Sequence, residues 1–253
     1  MQDKATLEDA LEMMRDLRRR CDWDRAQTHE SLRPYLIEEA HELDDALRAG
    51  EPAHIREELG DLLLQVLFHS VIAEETGAFD AADVSASLID KMRRRHPHLF
   101  EGGQREPWET MKAKARGAID EGLPAGLPSL HRSQRLQDRA AGVGFDWSDA
   151  EGPARKVEEE LAEVRSQLPR AGVEPGPIQR AALEEELGDL LFACVNLCRR
   201  CGIHPSIALD RSNDKFIRRF SAMQRLATER NLDLATLGIE RLDELWEEVK
   251  AAG

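Results

Sequence analysis

The sequence predicts an all-α protein built as a tandem repeat of two helical bundles, and three observations carry that expectation. The 253 residues are 41 % hydrophobic but only 5 % aromatic, with abundant Ala, Leu, Glu and Arg, a composition that suits packed helices better than sheets. Apolar residues recur at helical spacing along much of the chain. Four sequence blocks also recur in the same order. Glu38-Glu39-Ala40-His41-Glu42 has a counterpart in Glu159-Glu160-Leu161-Ala162-Glu163, and Glu57-Glu58-Leu59-Gly60-Asp61-Leu62-Leu63 in Glu185-Glu186-Leu187-Gly188-Asp189-Leu190-Leu191. Upstream, Cys21-Asp22-Trp23 matches Phe145-Asp146-Trp147. Downstream, Asp90-Lys91-Met92-Arg93-Arg94-Arg95 matches Asp214-Lys215-Phe216-Ile217-Arg218-Arg219. Four matches in one order mean duplication.

The elements follow in chain order. Leu7, Leu11, Met14, Leu17 and Cys21 mark a first helix, and Leu36, Ala40, Leu43 and Leu47 a second. Across Gly50-Glu51-Pro52, a connection short enough to make the neighbours antiparallel, Ile55, Leu59, Leu62, Val66 and Leu67 mark a third. Gly122, Pro124, Gly126 and Pro128 break helices between the copies, which places the domains at 1–121 and 122–253. In the second copy Val157, Leu161, Val164 and Leu168 make one amphipathic helix, and Leu183, Leu187, Leu190, Leu191 and Cys194 the next. The breaker run from Pro169 to Pro177 between them reads as a loop joining two helices.

A net charge of −14 disfavours a nucleic-acid scaffold, which would present a dominant basic surface. No apolar run reaches the roughly 18 residues of a membrane span, and the polar start Met1-Gln2-Asp3-Lys4 is no signal peptide, so a cytoplasmic protein without membrane contact is expected. Cys21, Cys194, Cys198 and Cys201 do not form the framework of a disulfide-stapled domain. Cys198 and Cys201 would be only half of a zinc site, so reduced thiols are expected.

The chemistry lies in the carboxylates. Glu39 and Glu42 are three apart, as are Glu58 and Asp61, so each pair projects from one helix face beside the apolar stripe. Four such groups at the rim of a core would repel one another unless a cation neutralised them. An ordinary solvated helix face would not require the same pairs in both copies. All-oxygen ligands suit Mg²⁺, with Mn²⁺ as a substitute. A di-iron bundle would need a Glu-x-x-His pair on two helices; Glu38 to His41 supplies one, but the second copy has Ala162 instead. Mg²⁺ is commonly shared with substrate phosphates, so a phosphate-bearing ligand is expected. Lys91, Arg94 and Arg95 in the first copy, and Lys215, Arg218 and Arg219 in the second, offer it cations within about one helical turn.

These residues resemble the MazG family of nucleoside triphosphate pyrophosphohydrolases in its two-domain bacterial form, from about Leu11 to Lys250. Both copies satisfy the pattern Glu-Glu-x-x-Glu followed by Glu-x-x-Asp. Cys21-Asp22-Trp23-Asp24, Arg94-Arg95-His96-Pro97-His98 and Gly144-Phe145-Asp146-Trp147 are similar to the flanking sequence of the family. The resemblance implies hydrolysis of nucleoside triphosphates between the α and β phosphates on a homodimeric all-α scaffold. It assigns metal binding to Glu160, Glu163, Glu186 and Asp189, and by correspondence to Glu39, Glu42, Glu58 and Asp61. Glu159 and Glu38 are candidates for orienting or deprotonating the attacking water.

The copies differ around this shared pattern. Asn213 stands where the first copy has Ile89, and an amide can bond a ligand where isoleucine cannot. Trp246 and Lys250, one turn apart, could supply a stacking face and a phosphate contact, and Lys156 precedes Glu160 by one turn. The second copy is therefore expected to carry most of the activity. A dimer that holds Mg²⁺ and triphosphate without turnover is the competing expectation.

Overall fold

The computed structural model describes residues 4–100, 117–169 and 174–252. Among them there is no β-strand, and the all-α expectation holds. The chain forms two compact units, Met1–Arg105 and Glu106–Gly253. No helix among the described residues is long and apolar enough to cross a membrane.

The first unit contains α1 (Leu7–Arg20), α2 (Asp22–Ala26), α3 (His29–Ala49), α4 (Pro52–Glu75), α5 (Ala81–Arg95) and α6 (Pro97–Phe100). Local chemistry sets its boundaries. Thr6, Thr28 and Asp80 close capping boxes at the starts of α1, α3 and α5. Gly50 ends α3 at φ +73°, in the left-handed region that glycine enters without strain, and Pro52 starts α4 where no amide donor is needed. The core gathers Leu11, Met14, Leu32, Phe68, Val71 and Ile72. Beside it lies Arg18, a buried cation. Its guanidinium pairs with Glu75 and donates to the carbonyls of Asp24 (2.5 Å) and Gln27 (2.9 Å), which locks α2 to α1 and α4.

The second unit contains α7 (Ser129–Gly142), α8 (Glu151–Gln167), α9 (Pro177–Arg200), α10 (Pro205–Glu229) and α11 (Ile239–Ala252), with a 3₁₀ turn at Leu234–Thr236. Buried Arg139 donates to the carbonyls of Ile119 (2.7 Å) and Glu121 (3.0 Å), so the bends ahead of Gly122 are tied to α7. Asp146, in the α7–α8 connection, takes both Arg199 and Arg200 from the end of α9. The α8–α9 loop is bridged by Gln179, whose Nε2 donates to the Gln167 carbonyl at 3.0 Å. Four residues of that loop, 170–173, lie outside the described residues.

The apolar stripes are only partly buried. Leu11 and Met14 lie inside, but Leu7 and Leu17 are exposed, as are Leu47, Leu59 and Val66. The buried face of α4 instead carries Glu58, Gln65, Phe68, Val71 and Ile72. A long helix that is apolar on two sides can turn only one of them into its own small bundle. In the second unit Leu161, Leu187 and Leu191 are likewise left outward.

Candidate active site

Each unit builds its acidic group on an antiparallel helix pair, α3 with α4 and α8 with α9. Glu39, Glu42 and Glu58 converge in the first unit, and Glu160, Glu163 and Glu186 in the second, each set offering carboxylate oxygens within 4.8 Å of one another. Among the described residues these are the groups able to hold a metal; the cysteines, all free, form none. Asp61 lies outside the converging set yet helps raise the Glu39 pKa, so it is electrostatically part of the cage. Asp189 is exposed, one turn beyond Glu186, and is not brought into the set.

In each cage one acid is buried and half satisfied. Glu58 is 8 % exposed; its Oε1 pairs with His54 Nε2 at 3.0 Å, and its Oε2 has no partner. Glu160 is 4 % exposed; its Oε1 pairs with Lys156 Nζ at 2.6 Å, and its Oε2 has no partner either. A buried carboxylate oxygen left unpaired is costly, and a cation is one partner that would offset the cost. The buried acid sits on the second helix of the pair in one unit and on the first helix in the other. His54 was not singled out from the sequence, although its position one turn before Glu58 was the available signal.

The electrostatics agree with that reading of the oxygens. Burial, then the charges of Asp61, Glu42, Glu58 and Glu38, push the Glu39 carboxyl up. Glu163 is pushed up chiefly by Glu160, with burial and Glu186 adding to it and Lys156 opposing. Lys156 holds Glu159 as well, at 2.8 Å, and the two carboxylates keep its ammonium above the usual lysine range. Thus Lys156 already acts as a partial counter-ion inside the second cage. Both donor sets are all-oxygen and over-charged, and they fit a hard divalent cation.

The remaining candidates are spread over other helices. Lys91, Arg94 and Arg95 lie on α5, with Arg94 exposed and Lys91 and Arg95 half-buried. Asn213, Lys215 and Arg218 are exposed on α10, and Arg219 is half-buried there. Trp246 is half-buried on α11 and packs against Phe216, ring centroids 5.4 Å apart, so part of its face is taken up by packing. Lys250 pairs with Glu247 at 2.5 Å. Glu38 is exposed on α3.

One glycine on α8 is covered by an aromatic ring. A β-carbon on Gly152, in the first turn of α8, would lie 2.4 Å from the Trp147 ring. Gly152→Ala is expected to dislodge that ring and cost about 1–3 kcal/mol as overpacking. Urea unfolding, with Trp fluorescence as the probe, measures both effects.

Comparison with known proteins places this geometry. Residues 27–100, which carry the first cage, match the model of the MazG nucleotide pyrophosphohydrolase domain. The chain is 46 % identical over 239 residues to the nucleoside triphosphate pyrophosphohydrolase/pyrophosphatase MazG of Thermotoga maritima, covering 91 % of this chain and 89 % of that protein. It is 40 % identical over 253 residues to the nucleoside triphosphate pyrophosphohydrolase of Escherichia coli, covering 95 % and 94 %. The uncharacterized protein YabN of Bacillus subtilis is 41 % identical over 241 residues, but this chain spans only 48 % of its length. Two acidic helix pairs, each with one buried acid, in a sequence this close to such relatives over nearly its whole length, mean that the chain belongs to the MazG family of nucleotide pyrophosphohydrolases.

Proposed function

We propose that the second unit hydrolyses nucleoside triphosphates between the α and β phosphates, releasing the nucleoside monophosphate and pyrophosphate, with Mg²⁺ held by Glu160, Glu163 and Glu186, and with Asp189, one turn beyond Glu186 and outside the converging set, as a fourth ligand that would have to turn toward the ion. The observation that carries this reading is Glu160, buried, with one oxygen on Lys156 and the other unpartnered beside Glu163 and Glu186. Mg²⁺ there supplies charge neutralisation at the phosphates and a more acidic bound water, and Mn²⁺ can substitute. The chain's own groups do the rest. Glu159 is held by Lys156 at the edge of the cage, positioned to accept a proton from the attacking water. Lys156, which pairs with Glu159 and Glu160, would have its ammonium free for a phosphate oxygen were a divalent ion to take over those carboxylates.

Lys215, Arg218 and Arg219 supply positive charge for the polyphosphate, with Asn213 as a neutral donor on the same helix. Trp246, packed on Phe216, anchors α11 beside that basic turn and so fixes where Lys250 can reach. The first unit offers Glu39, Glu42, Glu58 and Asp61 with Glu38, and Lys91, Arg94 and Arg95, as a second metal–phosphate site of lower activity. The outward apolar residues of both units, Leu59 and Val66 in one and Leu187 and Leu191 in the other, support a homodimer that covers them.

Product analysis tests the reading. With Mg²⁺ and a nucleoside triphosphate, the expected products are the monophosphate and pyrophosphate in equal amounts, and chelation stops their release. A diphosphate with inorganic phosphate would place the cleavage elsewhere. Tight binding without turnover would leave only a triphosphate-holding role.

A further inference from the structure

We propose that the first unit's cage takes a divalent ion unaided, whereas Lys156 is a tethered counter-ion that keeps the second cage's ion weakly held until a triphosphate draws the lysine away. This rests on both cages being metal sites and on the second receiving the triphosphate.

The two cages are wired alike. Each buried acid, Glu58 or Glu160, is bonded through Oε1 to the residue one turn before it on its own helix. In each, Oε2 is buried without a partner, beside the other acids of its set. Glu58 is 8 % exposed and Glu160 4 %, so that oxygen has little water to turn to.

The wiring differs in the charge of that neighbour. His54 Nε2 lies 3.0 Å from Glu58, and an imidazole can satisfy a carboxylate oxygen as a neutral donor. Such a partner orients a metal-binding carboxylate and leaves its charge for the ion. Lys156 Nζ lies 2.6 Å from Glu160 and 2.8 Å from Glu159, and the two carboxylates keep it charged. An ammonium at that place neutralises part of the attraction for a divalent ion and repels the ion directly. The carboxyls register the difference. Burial and four negative charges, Asp61 foremost, push Glu39 up. Glu163 is pushed up chiefly by Glu160, but Lys156 pulls it back.

Lys156 is also placed to leave. Its side chain is 42 % exposed, so the ammonium reaches solvent on a flexible stem, and a triphosphate at the rim competes for it with several charged oxygens. Drawing it off restores one negative charge to the cage as phosphate oxygens become available as further ligands. By linkage the ion favours the triphosphate to the same degree. In the first unit no such exchange is needed, which gives its acids a use without turnover, as a site whose ion stabilises the fold.

The duplication makes each partner private to its own unit. Aligning the Glu-Glu-x-x-Glu segments puts Tyr35 at the place of Lys156, and aligning the Glu-x-x-Asp segments puts Ala182 at the place of His54. Neither cage holds the other's neighbour in reserve.

Equilibrium dialysis of the full chain against Mn²⁺ at about pH 8, where an ordinary imidazole is neutral, tests this with and without inorganic tripolyphosphate in both compartments. Affinities are referred to free Mn²⁺. With Mn²⁺ alone, two classes of site at least about threefold apart are expected, the tighter lost in Glu58→Gln and the weaker in Glu160→Gln. Tripolyphosphate should tighten the weaker class at least about tenfold and leave the tighter within about twofold. Lys156→Met should tighten the weaker class at least about threefold with Mn²⁺ alone and shrink the gain from tripolyphosphate, while Lys156→Arg, which keeps the charge, behaves as wild type. The unchanged tighter class shows that the Lys156 variants are folded. His54→Lys, which gives the first cage a cation of its own, should weaken the tighter class at least about threefold. Equal classes in the wild type, a tighter class that disappears in Glu160→Gln, or a Lys156→Met protein that holds the second ion no more tightly would overturn the proposal. A wild type that shows these binding constants but releases no pyrophosphate would overturn the hydrolytic reading and leave this one standing.

Discussion

Glu160→Gln is expected to lower pyrophosphate release by about a thousandfold, on the order of 4 kcal/mol of transition-state stabilisation, and to abolish most of the stabilisation that Mg²⁺ confers on the second unit. The variant keeps the shape of the side chain and removes one charge from a buried position. That charge is the main cause of the raised Glu163 pKa, so its loss relieves Glu163, but it also takes a partner from Lys156, 2.6 Å away, and the two effects oppose each other in the metal-free protein. The pH dependence follows from the sign. A carboxyl whose folded pKa is raised stabilises most when protonated, below its unfolded value, and loses that contribution as pH rises through the folded value. Without metal, Glu163 therefore opposes folding at neutrality and ceases to do so in mild acid. Mg²⁺ has the opposite preference, since it needs deprotonated ligands. At a concentration 100 times its Kd it should stabilise the wild type by about 2.7 kcal/mol near neutrality, and less on acidification. Thermal melts in chelator and in Mg²⁺, at neutral and mildly acid pH, record all of this. A Glu160→Gln protein with wild-type turnover and an undiminished Mg²⁺ shift would remove Glu160 from the metal site.

Arg18→Met is expected to cost the first unit about 1–3 kcal/mol, chiefly from carbonyls left without their donor, since Glu75 is 44 % exposed and its charge stays solvated. Methionine fills much of the same space but leaves Glu75 without its partner and the Asp24 and Gln27 carbonyls without their donor. The loss should fall on the α1–α2–α4 junction. Denaturant unfolding gives the magnitude, and hydrogen exchange shows whether α2 opens first. Arg18 holds the Glu75 carboxyl below its ordinary range. A depressed carboxyl contributes stability above its unfolded pKa and loses it as pH falls through the folded value, so the deficit of the variant should shrink in acid. An unfolding free energy within about 1 kcal/mol of wild type would show that the junction is held by its apolar contacts.

What the sequence made legible was what repeats. Helical periodicity, capping residues and the Gly50-Glu51-Pro52 turn are local signals, and the acidic pairs at intervals of three are visible because duplication prints them twice. What it concealed depends on helix rotation. Leu59 and Val66 read as core because they sit at helical spacing, but α4 turns Glu58, Gln65 and Phe68 inward instead, and spacing alone cannot choose between two apolar faces. The same limit hid which acid is buried: Glu58 on the second helix of one pair, Glu160 on the first helix of the other. Gln137, Asn196 and Arg199 gave no signal at all, because residues on two different helices come to line one cavity only when those helices pack. Lys156 looked like a phosphate ligand from its place one turn before Glu160, and the structure shows it first engaged with the acids themselves.

Whether the second cage is the working one is tested most directly by setting the two buried acids side by side. Pyrophosphate release with saturating Mg²⁺ should fall by about a thousandfold in Glu160→Gln and stay within about threefold of wild type in Glu58→Gln. Equal losses in the two variants, or a larger loss in Glu58→Gln, would contradict it.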